Sequence, residues 1–251
     1  MTAEASDHDP SQPVGQSRAT PLAIPVPIAA PIPLVIPRGL VMLTALWVFG
    51  SWIFLFGTNP PVQAQSASYG PTIQMLFLLV GVGVGIAWPL LRLTGRPSQQ
   101  PLAQSLVDGV AIVVLLQVVV WPLRLVTTWS LPRTVAVNIA LLLSVICVGA
   151  LLSMAHASMR SRTRTTAMAL FVAMVAIPPC AHALLPESVV MTTLLAVSPP
   201  ALLGQLAEAL PLDPTPENRA LLTVAAWIAG LAVIAALVTA SFRTWFCSWS
   251  S

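Results

Sequence analysis

The sequence predicts an all-α integral membrane protein. It reads as six transmembrane helices plus a re-entrant half-helix pair before the last span, with both termini cytoplasmic. Three observations carry this. The chain is 57% hydrophobic and only 8% charged, with a mean hydropathy of +0.87, too few charges to cover a soluble surface of this length. Its apolar residues fall in long unbroken runs. Its eleven basic residues, all arginine, sit mainly at the ends of those runs.

The runs cover 39–57, 73–91, 106–123, 134–157, 165–185 and 220–240. Each is about 18–24 residues, enough for a helix to cross a hydrocarbon layer of about 30 Å at about 1.5 Å per residue. Backbone groups in lipid must be satisfied internally, and runs this long and apolar fit helices rather than barrel strands. Three parts follow: a disordered, Pro-rich cytoplasmic segment over 1–37, a six-span domain over 38–243 and a short cytoplasmic tail over 244–251. Residues 1–20 are polar. Residues 21–37 carry a proline every two to four positions, which blocks a helix and favours extended, polyproline-like chain at the membrane surface. No apolar core follows a basic start there, so entry through a retained first span is expected rather than a cleaved leader.

With the N-terminus inside, six spans place Arg18, Arg38, Arg92, Arg96, Arg160, Arg162, Arg164 and Arg243 on the inner side. Only Arg124, Arg133 and Arg219 remain outside, the asymmetry of cytoplasmic loops. The expected home is the bacterial inner (cytoplasmic) membrane. Residues 189–210 are apolar enough for a seventh span, and the arginine tally does not decide the matter. Ser198-Pro199-Pro200 breaks that segment into halves of about ten residues, each too short to cross, so it reads as re-entrant from the outside.

Helix contacts are legible in places. Gly81 and Gly85 stand in a GxxxG relation that permits close backbone approach, and no Lys-Ser/Thr follows to make a phosphate loop. Pro178-Pro179 should bend the fifth span. The tryptophans mostly fall near run ends as interface anchors. The related strings Ala87–Leu93 and Val120–Leu125 read as the same punctuation: tryptophan, proline, then a snorkelling arginine.

Charges inside spans are where transport or catalysis would show. Asp108 is explained by Ser105-Leu-Val-Asp108, which matches a helix-capping box at the start of the third span. Asp108 and Arg124 are sixteen residues apart, about 24 Å along a helix, and cannot pair. No buried ion relay is expected. His156 and His182 close the fourth and fifth spans as interfacial hydrogen-bonding residues. Cys180 and His182 lack two further ligands nearby, so no metal is expected. With no HExxH, GxSxG or membrane aspartate pair, neither catalytic residues nor cofactor are assigned. The arginines flank spans instead of forming one basic face, which argues against nucleic acid.

Two inner loops stand out: Leu91–Pro101, compact and polar, and Met159–Thr166, strongly basic. The run LLLSVICVGALLSMAHASMRSRTRTTAMALFVAMVAIP, residues 141–178, is followed by Val197-Ser-Pro-Pro200 before the last span. In this pattern the chain resembles the membrane subunit of type-2 ABC transporters over roughly 38–243. The resemblance implies a permease of an export system, assembled as a homo- or hetero-oligomer. ATP would be hydrolysed by a separate cytoplasmic subunit, since no GxxxxGK[ST] occurs in this chain. It would place the ATPase contact at Arg92, Arg96, Arg160, Arg162 and Arg164. The prolines of 21–37 depart from the amphipathic helix with which that family usually begins. The alternative is a non-transporting membrane scaffold or assembly subunit, held, like the permease, in the lipid bilayer.

Overall fold

The computed structural model describes residues 34, 37–58, 66–96, 98–126, 129–156, 161–184, 189–207 and 214–249. Expectations for 1–33, for Arg160 and for residues 250–251 lie outside them. Contacts group Pro31–Ser251 into one compact unit, to which every helix below belongs.

In chain order the helices are α1 (Arg38–Thr58), α2 (Ser66–Val82), a π turn (Gly83–Ala87), α3 (Trp88–Thr94), α4 (Pro101–Val126) and α5 (Leu131–His156). They continue with α6 (Ser161–Leu184), α7 (Val189–Val197), α8 (Pro199–Leu206) and α9 (Pro216–Trp249). Among the described residues, four helical rods are long and apolar enough to cross a membrane: Gly70–Thr94, Pro101–Arg124, Leu131–His156 and Pro216–Phe242. This is the build of a multi-pass helical membrane protein. Arg38–Phe54 is a shorter apolar helix beside them. The segment read as a tail from residue 244 continues α9 as far as Trp249.

α5 is the hub. Val137, Ala140, Leu141 and Val148 are wholly buried, and the helix packs most extensively against α9 and α4, then α8. Small residues on α5 (Ala136, Ala140, Gly149, Ala150) let neighbouring rods approach, as close packing between spans requires. The outward faces are as greasy as the core: Met42 and Leu46 of α1 are 74% and 72% exposed, and Trp227 of α9 is 72% exposed. Such belts would be an aggregation liability in water and suit contact with acyl chains.

The π turn has a local cause. Pro89 cannot donate to Gly85 O, and its ring crowds that carbonyl, so the preceding turn widens and the Trp88 N–H reaches Gly83 O instead. One extra residue in the turn rotates everything after it by about 100°. That rotation decides which way α3 faces.

The 189–210 segment breaks at Ser198, whose extended backbone (φ −87°, ψ 111°) separates α7 from α8. At nine and eight residues, these helices are about 14 and 12 Å long, each under half of a hydrocarbon core. A Cβ added at Gly81 would lie 2.3 Å from Pro200 Cα, and one at Gly204 would lie 2.8 Å from Leu78 Cδ2. The last carbonyl of α8, on Leu206, accepts a hydrogen bond from Arg133 Nε at the start of α5, 3.1 Å away. α8 therefore runs from near the middle of the Gly70–Thr94 rod back toward the Arg133 end.

Candidate functional site

The polar chemistry of the described bundle gathers at the other end, where α3, α4, α5 and α6 meet. Trp88 and Arg92 lie one turn apart on α3, and Gln104 and Asp108 lie one turn apart on α4, so each pair shares a helix face. The π turn aims the first pair at the second.

Asp108 is 0% exposed. Arg92 grips it in a fork, Nε donating to Oδ2 and Nη2 to Oδ1. Gln104 Nε2 donates to Oδ1 at 3.0 Å, and Trp88 Nε1 donates to Oδ2 at a long 3.4 Å. Four donors match the roughly four lone-pair sites a carboxylate offers. With those sites occupied, Asp108 is the centre of a clamp that joins α3 to α4. Glycines make room for it. A Cβ at Gly149 would come within 3.2 Å of Trp88 Cη2, and one at Gly109 within 2.9 Å of Val145 Cγ1.

Two further ties join the clamp to its neighbours. Arg164 of α6 donates through Nη2 to Leu93 O and, at 2.6 Å, to Gly95 O. These carbonyls close α3, where a helix leaves acceptors unsatisfied and its dipole favours a cation. His156, the last residue of α5, accepts the Ser98 N–H on Nε2 at 3.0 Å. An accepting Nε2 means a neutral ring with its proton on Nδ1. The 95–100 loop is thus stitched to α5 and α6.

Several expectations are corrected by this geometry. Ser105 and Asp108 do not form a helix cap: α4 begins at Pro101, and the Ser105 hydroxyl donates back to Pro101 O at 2.9 Å, inside the helix. Pro101 supplies the start, its fixed φ and missing N–H suiting the first helical position. Arg92 is engaged by Asp108, its side chain 25% exposed. Arg164 is likewise engaged with the loop. Arg96 and Arg162 are exposed. Trp88 is buried rather than interfacial, and so is Trp129, whose ring centroid lies 5.9 Å from that of Phe77. Arg133, read as an outer-face anchor, is 1% exposed and caps α8.

Gly81 and Gly85 do meet other helices: Gly81 faces the Pro200 backbone, and Gly85 faces Val175 Cγ2 and Pro199 Cγ. Gln104, Gly109, Gly149 and Trp88 were missed as site residues. The readable signal was the matching one-turn spacing of Trp88 with Arg92 and of Gln104 with Asp108. Among the described residues no group of three His, Cys, Asp or Glu side chains gathers to hold a metal. A cavity of about 390 Å³ lies between α4, α5 and α9, apolar apart from Ser105. No family model, curated protein or solved structure matches the chain.

Proposed function

We propose that the chain is the permease subunit of an ABC-type exporter, moving an unidentified substrate with a separate cytoplasmic ATPase. In this reading α1, the α2–α3 rod, α4, α5, α6 and α9 are the six spans. The α7–α8 pair re-enters from the outside, and both termini lie on the arginine-rich inner side of a bacterial inner membrane. The observation that carries it is the stitched inner end. Arg92–Asp108, Arg164 with the Leu93 and Gly95 carbonyls, and His156 with Ser98 join four helices and one loop into a single bracket. A push on that loop by a soluble motor would reach α3 to α6 together, as rigid-body alternating access requires. Among the described residues of the expected contact set, Arg96 and Arg162 are the exposed cations that would meet the motor. Two copies, or one copy with a related permease, would complete the translocation path.

One observation favours the second reading, a membrane scaffold. The cleft between α4, α5 and α9 is almost wholly apolar, and Asp108, the buried carboxylate among the described residues, already has its acceptor sites filled. Purification of the tagged chain from its native membrane separates the two. Recovery of a Walker-type ATPase, lost in an Arg96→Glu/Arg162→Glu variant that still inserts, supports the permease. A fixed stoichiometry with other membrane proteins and no ATPase overturns it in favour of the scaffold.

A further inference from the structure

The geometry points to a lipid-binding cleft between α4, α5 and α9 that seats one acyl chain of an anionic phospholipid. This inference rests only on the membrane-spanning character of these three helices and is independent of any ATPase. The cleft holds about 390 Å³ and is lined by Leu106, Val110 and Val114 of α4, Leu142 and Ile146 of α5 and Leu237 of α9, with small residues at its floor. Those six rim residues are also exposed, so the cleft opens to whatever surrounds the bundle. At this depth the surroundings are hydrocarbon. An apolar concavity of this volume either takes up a chain end or leaves its lining without partner atoms.

Length and charge choose the occupant. From Leu102 to Val114 the cleft follows α4 for about 18 Å, close to one leaflet of a hydrocarbon core about 30 Å thick. Its lining on α4 begins at Leu102, one residue inside the helix start, which follows directly on the loop that carries exposed Arg96. A lipid from that leaflet would lay one chain along Leu106, Val110 and Val114 and leave its phosphate at the level of Arg96. Anionic headgroups are drawn to such juxtamembrane arginines.

The floor of the cleft connects it to the clamp. Gly149 and Gly109 line it, and the Trp88 ring rests directly behind both. A chain seated there would press on the residue that donates to Asp108.

The test uses the full chain in vesicles of phosphatidylglycerol or phosphatidylcholine doped with a diazirine-acyl phospholipid. After irradiation, adducts are mapped by peptide mass spectrometry. Adducts should concentrate on Leu106, Val110, Ile146 and Leu237 over the more exposed Met42 and Leu46 of α1, and more so in phosphatidylglycerol. Leu237→Trp at the rim and Ala150→Phe at the floor should each lower cleft labelling several-fold while α1 labelling stays constant. Because Leu237 is a rim residue, its variant keeps the test decisive should Ala150→Phe fail to fold. Arg96→Glu should abolish the phosphatidylglycerol preference. Labelling as even on α1 as on the cleft, or insensitivity to Leu237→Trp, overturns the site. Disulfide trapping of Leu106→Cys between two copies in the same vesicles would assign the cleft to a second chain and also overturn it. An unaltered lipid preference in Arg96→Glu overturns the headgroup assignment.

Discussion

Replacing Asp108 by asparagine keeps the side chain's shape and removes its charge. The consequence follows from what surrounds it. Arg92, Trp88 and Gln104 all point donors at the two oxygens. In Asp108→Asn one oxygen becomes an NH2 group, a donor facing donors, and the Arg92 guanidinium loses its counter-charge. Removing one partner of a buried pair costs about 3–5 kcal/mol. Arg92 is 25% exposed on its side chain and can turn partly toward water, so we take about 3 kcal/mol. For a chain of this length that is a fall in Tm of about 6–12 °C. The assay is thermal unfolding in mild detergent, followed by the monodisperse fraction on size exclusion, for Asp108→Asn, Arg92→Leu and Arg92→Leu/Asp108→Leu. Two leucines fill the space without stranding a charge, so the double variant should lie within about 1–2 kcal/mol of the parent, far above either single one. Asp108→Asn as stable as the parent, or single effects that simply add in the double, would refute the clamp.

Three further outcomes are expected. Gly81→Ala should destabilise by about 1–3 kcal/mol, because the new Cβ meets Pro200 backbone rather than a side chain that can move; Gly230→Ala, with nothing within 4 Å, should be neutral or gain up to about 1 kcal/mol. Paired denaturation curves check both. Arg133→Leu should free the Leu206 carbonyl and raise protease or hydrogen-exchange sensitivity of α8 selectively, leaving α9 protected. Arg164→Ala should loosen the loop below α3, and the rate at which a Ser98→Cys thiol reacts with a polar maleimide should rise against the same thiol in the parent background.

Helix class and rod positions were legible because lipid imposes one strong rule, a long apolar run, and 73–91, 106–123, 134–157 and 220–240 each obey it. The break at Ser198 was legible too, since a Pro-Pro pair after an extended residue leaves few alternatives. The Arg92–Asp108 pair was not. Along its own helix Asp108 has only Arg124, too far to pair, and the nearer cation lies across a loop on another rod. The two Trp-Pro strings also looked alike. Arg92 follows Trp88 by four residues and shares its face, while Arg124 follows Trp121 by three and both remain exposed. What separates them is the π turn over Gly83–Ala87, which has no counterpart before Pro122 and rotates α3 inward. The Ser105 cap failed for a simpler reason: a proline at 101 opened the helix a turn earlier than the apolar run began.

The polar ties have a common logic that follows from the solvent. Between helices in lipid no hydrophobic force selects a partner face, because acyl chains are as apolar as leucine. Rotation and depth of each rod must then be set by groups that lipid cannot satisfy or by surfaces that only one neighbour fits. The described bundle carries such a key at several of its joints. Trp47 Nε1 on Leu79 O, with Gly83 opposite the indole, sets α1 on α2. Gly81 on Pro200 and Arg133 on Leu206 O fix the two ends of α8. Arg92 on Asp108 fixes α3 on α4, and Arg164 on Leu93 O fixes α6 on α3. A buried ion pair adds little net stability over an apolar replacement. Its value in this setting is that every other rotation of α3 against α4 would leave the buried Asp108 carboxylate without the Arg92 guanidinium.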